Sequence, residues 1–138
     1  MYEPLQSGLK DVEWNHDTQT GLWLNKGHKP RMEAIRECLG QEPSPATLAA
    51  MYLLTADKDI ARRTAECFCR KKIDFTFANT RGISPHAYTL FSAARDIYAD
   101  KDGITLSDLS CDEIIDPIAF RLIVNALHIA RSGTGGGV

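Results

Sequence analysis

Asp116-Pro117-Ile118-Ala119-Phe120-Arg121-Leu122-Ile123-Val124-Asn125-Ala126-Leu127-His128-Ile129-Ala130-Arg131 is the stretch that decides the class of fold. Aspartate is a strong helix N-cap, and proline at the first helical position loses only an N–H that would have no partner anyway. From Pro117 onward the segment is apolar on almost every side, with Arg121, Asn125, His128 and Arg131 as its polar interruptions. A helix of that composition is expected at the centre of a bundle, packed against several others. Just upstream, Ser110 and Glu113 have the spacing of a capping box. A helix begun there would carry Pro117 in its interior at a cost near ~3 kcal/mol, so a turn at Cys111 to Ile115 is expected instead.

Working outward from that helix, the same punctuation marks others. Pro30 opens a helix with Met32, Ile35 and Leu39 on one face, and Gly40 ends it. Ser44-Pro45 begins a second helix to about Thr55 with Leu48, Met51, Tyr52 and Leu54, and Asp57 caps a third. Ser84-Pro85 begins a fourth with Tyr88, Phe91, Ala94, Ile97 and Tyr98. The run Ile73 to Ala78 alternates like a strand but also continues the pattern of Cys67 and Phe68, and the helical reading is preferred. Gly21-Leu22-Trp23-Leu24-Asn25 is a short strand in prospect. Ser44-Pro45 and Ser84-Pro85 lie 40 residues apart, but with two copies only they mark shared helix starts, not a solenoid repeat. The expected architecture is mainly α, a compact bundle of about five helices around the apolar C-terminal one. It divides into an arm at 1–21, a single helical domain at 22–131 and a disordered Gly-rich tail at 132–138.

Composition limits the function classes. The 138 residues suit one domain, and 43% hydrophobic with 25% charged residues is ordinary globular usage. A net charge of −2 gives no global field for a polyanion. No run approaches the ~18 apolar residues of a membrane span, and Met1 to Lys10 lacks a basic segment followed by an apolar one, so a cytoplasmic protein is expected. Cys38, Cys67, Cys69 and Cys111 form no Cys-x-x-Cys pair, and small buried hydrophobes in a reducing compartment are the expectation for them.

The motifs that tempt a chemical reading fail on spacing. Asp100-Lys101-Asp102-Gly103 resembles a calcium loop, but with Gly103 as its sixth residue the first ligand would be Tyr98 and the twelfth Leu109. Gly-x-Ser-x-Gly, His-Glu-x-x-His and phosphate-cradling glycine loops are absent, so no catalytic residue, metal ligand or cofactor site is assigned. Two charge clusters remain. Asp96 to Asp116 holds seven acids and one lysine, a local net of −6. Arg62, Arg63, Arg70, Lys71 and Lys72 against Glu66 give +4 on the third helix.

The order of features resembles a known family. Trp23-Leu24-Asn25 with His28 and Arg31, Leu53-Leu54 with Asp57 and Asp59, Ile73-Asp74-Phe75, Gly82-Ile83-Ser84-Pro85, Ala93 to Tyr98 and the ending Ala126 to Arg131 are similar to an uncharacterised family of small helical proteins from phages and conjugative elements of gut Firmicutes. The chain departs from that pattern in its arm of about 20 residues, and in Ala94-Arg95-Asp96-Ile97-Tyr98 where the family has Phe-Asn-Leu-Tyr. The resemblance implies an accessory protein of a mobile element and carries over no functional residue.

The expected function is therefore non-enzymatic protein binding through Asp100, Asp102, Asp108, Asp112 and Glu113, with a host or mobile-element protein as partner. A phage-borne inhibitor of a host defence nuclease is one concrete form. The alternative is a nucleic-acid-associated factor using Arg62, Arg63, Arg70, Lys71 and Lys72. An enzyme built on His86 or His128 with Cys111 is the weakest reading.

Overall fold

A computed structural model describes residues 22–39, 42–68 and 72–132. Six α-helices occur among them: α1 (His28–Leu39), α2 (Pro45–Ala56), α3 (Lys58–Arg63), α4 (Pro85–Ala99), α5 (Leu106–Leu109) and α6 (Pro117–Ser132). Two 3-10 turns, Ala65–Cys67 and Phe75–Phe77, lie between α3 and α4. The described residues contain no strand, and their one β feature is an isolated antiparallel bridge between Phe68 and Ile73. The arm, including Gly21 where the expected N-terminal strand would start, and residues 133–138 of the tail lie outside the described residues, while Ser132, expected in the tail, ends α6.

The centre of the bundle is α2, not α6. Its sequence PATLAAMYLLTA contains no charged residue, and nine of its twelve positions, Leu48 to Ala56, are buried. It packs most extensively on α4 and α6 and also on α1. The expectation that Pro117 to Arg131 occupies the centre fails because Arg121, Asn125 and His128 recur at i, i+4 and i+7, which lays a polar stripe along one side. α6 therefore buries Ala119, Leu122, Ile123, Ala126 and Ile129 on the side that packs against α2 and α4, while Phe120 and Leu127 each remain 43% exposed.

The helix starts behave as their sequences dictate. The side chains of Ser44 and Ser84 accept hydrogen bonds from the N–H groups of Thr47 and Ala87 at 3.2 and 3.1 Å, each followed by proline. Asp57 accepts from Ile60 N–H at 3.3 Å, and Asp116 from Ala119 N–H at 2.8 Å. The turn expected at Cys111 to Ile115 is present, closed by the N–H groups of Ile114 and Ile115 on the Cys111 carbonyl. α5 was not expected. Its capping box joins Thr105 to Asp108, five residues before the Ser110 and Glu113 spacing that suggested one.

The helix expected across Ile73 to Ala78 does not form. α3 stops at Arg63, and the Thr64 hydroxyl donates to the Ile60 carbonyl at 2.8 Å. Asp74 then folds onto its own neighbourhood, accepting from Thr76 N–H at 3.1 Å and from its hydroxyl at 2.6 Å. Short polar and β-branched side chains compete with the helical hydrogen bonds, so Thr64, Asp74 and Thr76 favour turns over a continuous helix. Phe75 packs on Phe91 and Tyr98 in place of extending a helical face.

A polar clasp closes the N-terminal side of the core. His28 is fully buried; its Nδ1 accepts from Leu24 N–H at 3.0 Å, so its Nε2–H donates to the Tyr52 carbonyl at 2.8 Å. The Tyr52 hydroxyl donates to the Leu22 carbonyl and accepts from Asn125 Nδ2 at 3.0 Å. Arg31 reaches the end of α2, where Nε and Nη2 donate to the carbonyls of Thr55 and Ala56 at 2.8 and 2.9 Å. Trp23 stands edge-on to the His28 ring at 5.0 Å and packs against the core.

Candidate functional site

The acidic connection begins where α4 ends. Asp100 adopts the left-handed conformation at φ 57° and ψ 49°, which turns the chain back over the helix it has just left. Asp96 organises the loop that follows: its Oδ2 accepts from Ile104 N–H at 2.7 Å and its carbonyl from Lys101 N–H at 3.0 Å. A side chain at position 103 would place its Cβ 3.1 Å from Asp96 Oδ1, which is why the closest point of the loop is Gly103.

The acids of this segment thus divide into two groups. Asp96, Asp108 and Asp116 are held by backbone N–H groups and shape the connection. Asp100, Asp102, Asp112 and Glu113 are exposed and present charge outward. All five acids expected to form an interaction surface therefore lie in the described structure, with Asp108 doubling as a structural cap.

Between α5 and the start of α6 the connection leaves a groove that charge counting could not show. Leu106, Leu109, Ile115, Pro117 and Phe120 line it, with Ser110 and Asp112 at its edge, and its volume is about 540 Å³. Leu106 is 84% exposed and Ile114 58% exposed. Leaving a leucine in water forgoes roughly 1.5–3 kcal/mol of burial, which makes this an apolar surface without a partner in the fold. The sequence signal was the pair Leu106 and Leu109 inside an otherwise acidic run.

Near the groove, His86 Nδ1 and Asp116 Oδ2 lie 2.7 Å apart and tie the first turn of α4 to the cap of α6. The hydrogen bond that His86 donates to Asp116 raises the His86 pKa above its ordinary value against the opposing effect of burial. Asp116 in turn is held below the usual carboxylate range: burial opposes that direction, and the His86 hydrogen bond and the Ala119 N–H outweigh it. A histidine and a carboxylate in contact are the makings of a general base, yet this carboxylate also caps α6, and no described hydrogen bond joins His86 to Cys111.

The basic cluster is not assembled as the sequence suggests. Arg62 and Arg63 both pair with Asp59, at 2.5 and 2.7 Å, and Arg63, whose side chain is only 14% exposed, also donates to the carbonyls of Asn79 and Arg81. Lys72 lies beyond the end of α3, and Arg70 and Lys71 fall outside the described residues. The five charges therefore do not share one helix.

Among the described cysteines Cys67 is buried, as expected, whereas Cys38 is exposed and Cys111 half-buried. Among the described residues no group of three His, Cys, Asp or Glu side chains could hold a metal ion. No described helix is long and apolar enough to cross a membrane.

No family model matches this chain, and neither a curated protein nor a solved structure matches it.

Proposed function

We propose that this protein is a non-enzymatic binding module whose groove between α5 and α6 receives the apolar face of a basic amphipathic helix from a protein partner. The observation that carries the reading is the exposed Leu106 beside Phe120, over an apolar groove whose surroundings are acidic. A helix fits because its anchors at i, i+4 and i+7 would enter the groove while its lysines and arginines meet Asp112 and Glu113. Burial supplies most of the affinity, and the rim acids steer the approach and set the partner's sign. In the mobile-element setting that the sequence resemblance implies, the partner would be a host or element protein, a defence nuclease among the forms it could take.

The test uses a labelled synthetic helix of about 18 residues, with leucines along one face and lysines on the other, and a second helix with glutamates in place of the lysines. Amide chemical-shift mapping on the full chain should centre the lysine helix on residues 106–120. Leu106→Asp should weaken it at least about tenfold, and reversing Asp102, Asp112 and Glu113 to lysine should weaken it in a salt-dependent manner. Equal binding of both helices, or shifts centred elsewhere, would refute the assignment.

A further inference from the structure

α6 carries a second stripe besides the one it buries. Pro117, Phe120, Val124, Leu127 and Arg131 follow one another at intervals of three, four, three and four, the spacing of a coiled-coil seam, so they share one face of the helix over ~21 Å. Phe120 and Leu127 are each 43% exposed, Pro117 and Arg131 are exposed and Val124 is half-buried. The stripe runs from the groove, which Pro117 and Phe120 line, to a depression of about 400 Å³ bordered by Val124, Leu127 and Arg131. Arg121, Asn125 and His128 lie about a quarter-turn round the helix, off this seam.

We propose that this stripe is a dimer contact, on which α6 of a second copy of the chain packs antiparallel, crossing near Val124. Charge selects that occupant, because the two ends of the stripe are opposite in sign. Its C-terminal end is Arg131, whereas its N-terminal end leaves a turn that holds the exposed Asp112 and Glu113, and Asp112 lines the same groove as Pro117 and Phe120. An antiparallel crossing sets Arg131 of each copy at the acidic end of the other, and two-fold symmetry makes that attraction twice. A parallel crossing would set arginine against arginine and acid against acid. The apolar side chains match as well: Phe120 and Leu127 stand on either side of Val124, so each Phe120 meets Leu127 of the other copy. A single pair of helices this long buries less than ~1,200 Å², the size of a weak contact, so the dimer exchanges with monomer. The inference does not rest on the helix-binding reading, but both use Phe120, so the dimer and a ligand helix exclude one another.

The experiment is sedimentation equilibrium on the full chain from about 1 to about 200 µM, for the native protein, for Leu127→Asp, for Arg131→Glu, for Asp112→Lys with Glu113→Lys, and for those three charge reversals together. The native chain should pass from monomer toward dimer across the range. Leu127→Asp should weaken the dimer at least about tenfold, and each set of charge reversals should weaken it about threefold or more. The triple reversal should regain affinity, because it exchanges the signs of the two ends. Arg131→Glu lies in the exposed last turn and keeps the test alive should Leu127→Asp fail to fold. A native chain that stays monomeric at the highest concentration overturns the proposal, and so does a dimer untouched by these variants or a triple reversal weaker than its parts. A native monomer that binds the lysine helix overturns this inference alone, whereas Leu127→Asp monomers that bind no lysine helix count against the groove reading alone.

Discussion

Acidification from neutral pH to about pH 4 is expected to remove about 3 kcal/mol of stability through His28 alone. Its imidazole is fully buried, and burial, reinforced by the charge of Arg31, lowers its pKa from 6.5 to about 4 despite the bond to the Tyr52 carbonyl. A proton on Nδ1 would face the Leu24 N–H that Nδ1 now accepts, setting donor against donor. Each pH unit between the two values is worth ~1.4 kcal/mol, so the gap amounts to about 3 kcal/mol. The sign follows from proton counting. Between about 6.5 and about 4 the unfolded chain holds a proton that the folded chain refuses, so the stability present above 6.5 is lost as pH falls and then levels off.

Urea unfolding at about pH 7.5, 6, 5 and 4 measures this directly. His28→Gln supplies the control, because glutamine does not titrate. It should be less stable at neutral pH by about 1–3 kcal/mol, having lost well-placed buried hydrogen bonds, but should show little of the acid slope above pH 5. A native protein with constant stability across this window, or a glutamine variant with the same slope, would refute the reasoning. His86 acts in the opposite sense. Its pKa is raised by Asp116, so its contribution is complete below its ordinary value and disappears as pH rises through the raised one. The pair is partly exposed, which limits that contribution to about 1 kcal/mol or less.

Two further outcomes separate fold from surface. Leu122→Ala, at a fully buried position of α6, should cost about 2–5 kcal/mol in urea unfolding, whereas Leu106→Ala should change stability by no more than about 0.5 kcal/mol. Equal costs at the two sites would mean that the groove belongs to the core. Arg31→Ala should cost about 1–3 kcal/mol by leaving the carbonyls of Thr55 and Ala56 without their forked donor, and Arg31→Lys should recover part of that loss at most.

Local chemistry made much of the helical framework legible. Ser44, Asp57, Ser84 and Asp116 bond backbone N–H groups within three residues of themselves, so their roles as caps depend on near neighbours alone. The capping box at Thr105 and Asp108 escaped because its second member is an aspartate and its helix is a single turn. Acidic residues of the candidate surface could be named from charge density, but their division into structural and outward-facing acids could not. That division depends on which N–H groups the folded loop brings to Asp96 and Asp108.

By itself the sequence determined a mainly helical chain with its principal helix starts, because caps and proline act over three or four residues. Only the tertiary structure decided that α2 and not α6 is surrounded, since a polar stripe excludes a helix from the centre only when a wholly uncharged helix competes for that place. It likewise broke the helix after Arg63, where Phe75 gains ring contacts with Phe91 and Tyr98, and buried His28 against a carbonyl 24 positions away. The groove beside Leu106 has the same origin: two segments separated by a turn leave apolar side chains facing solvent, an outcome of packing that no local pattern encodes.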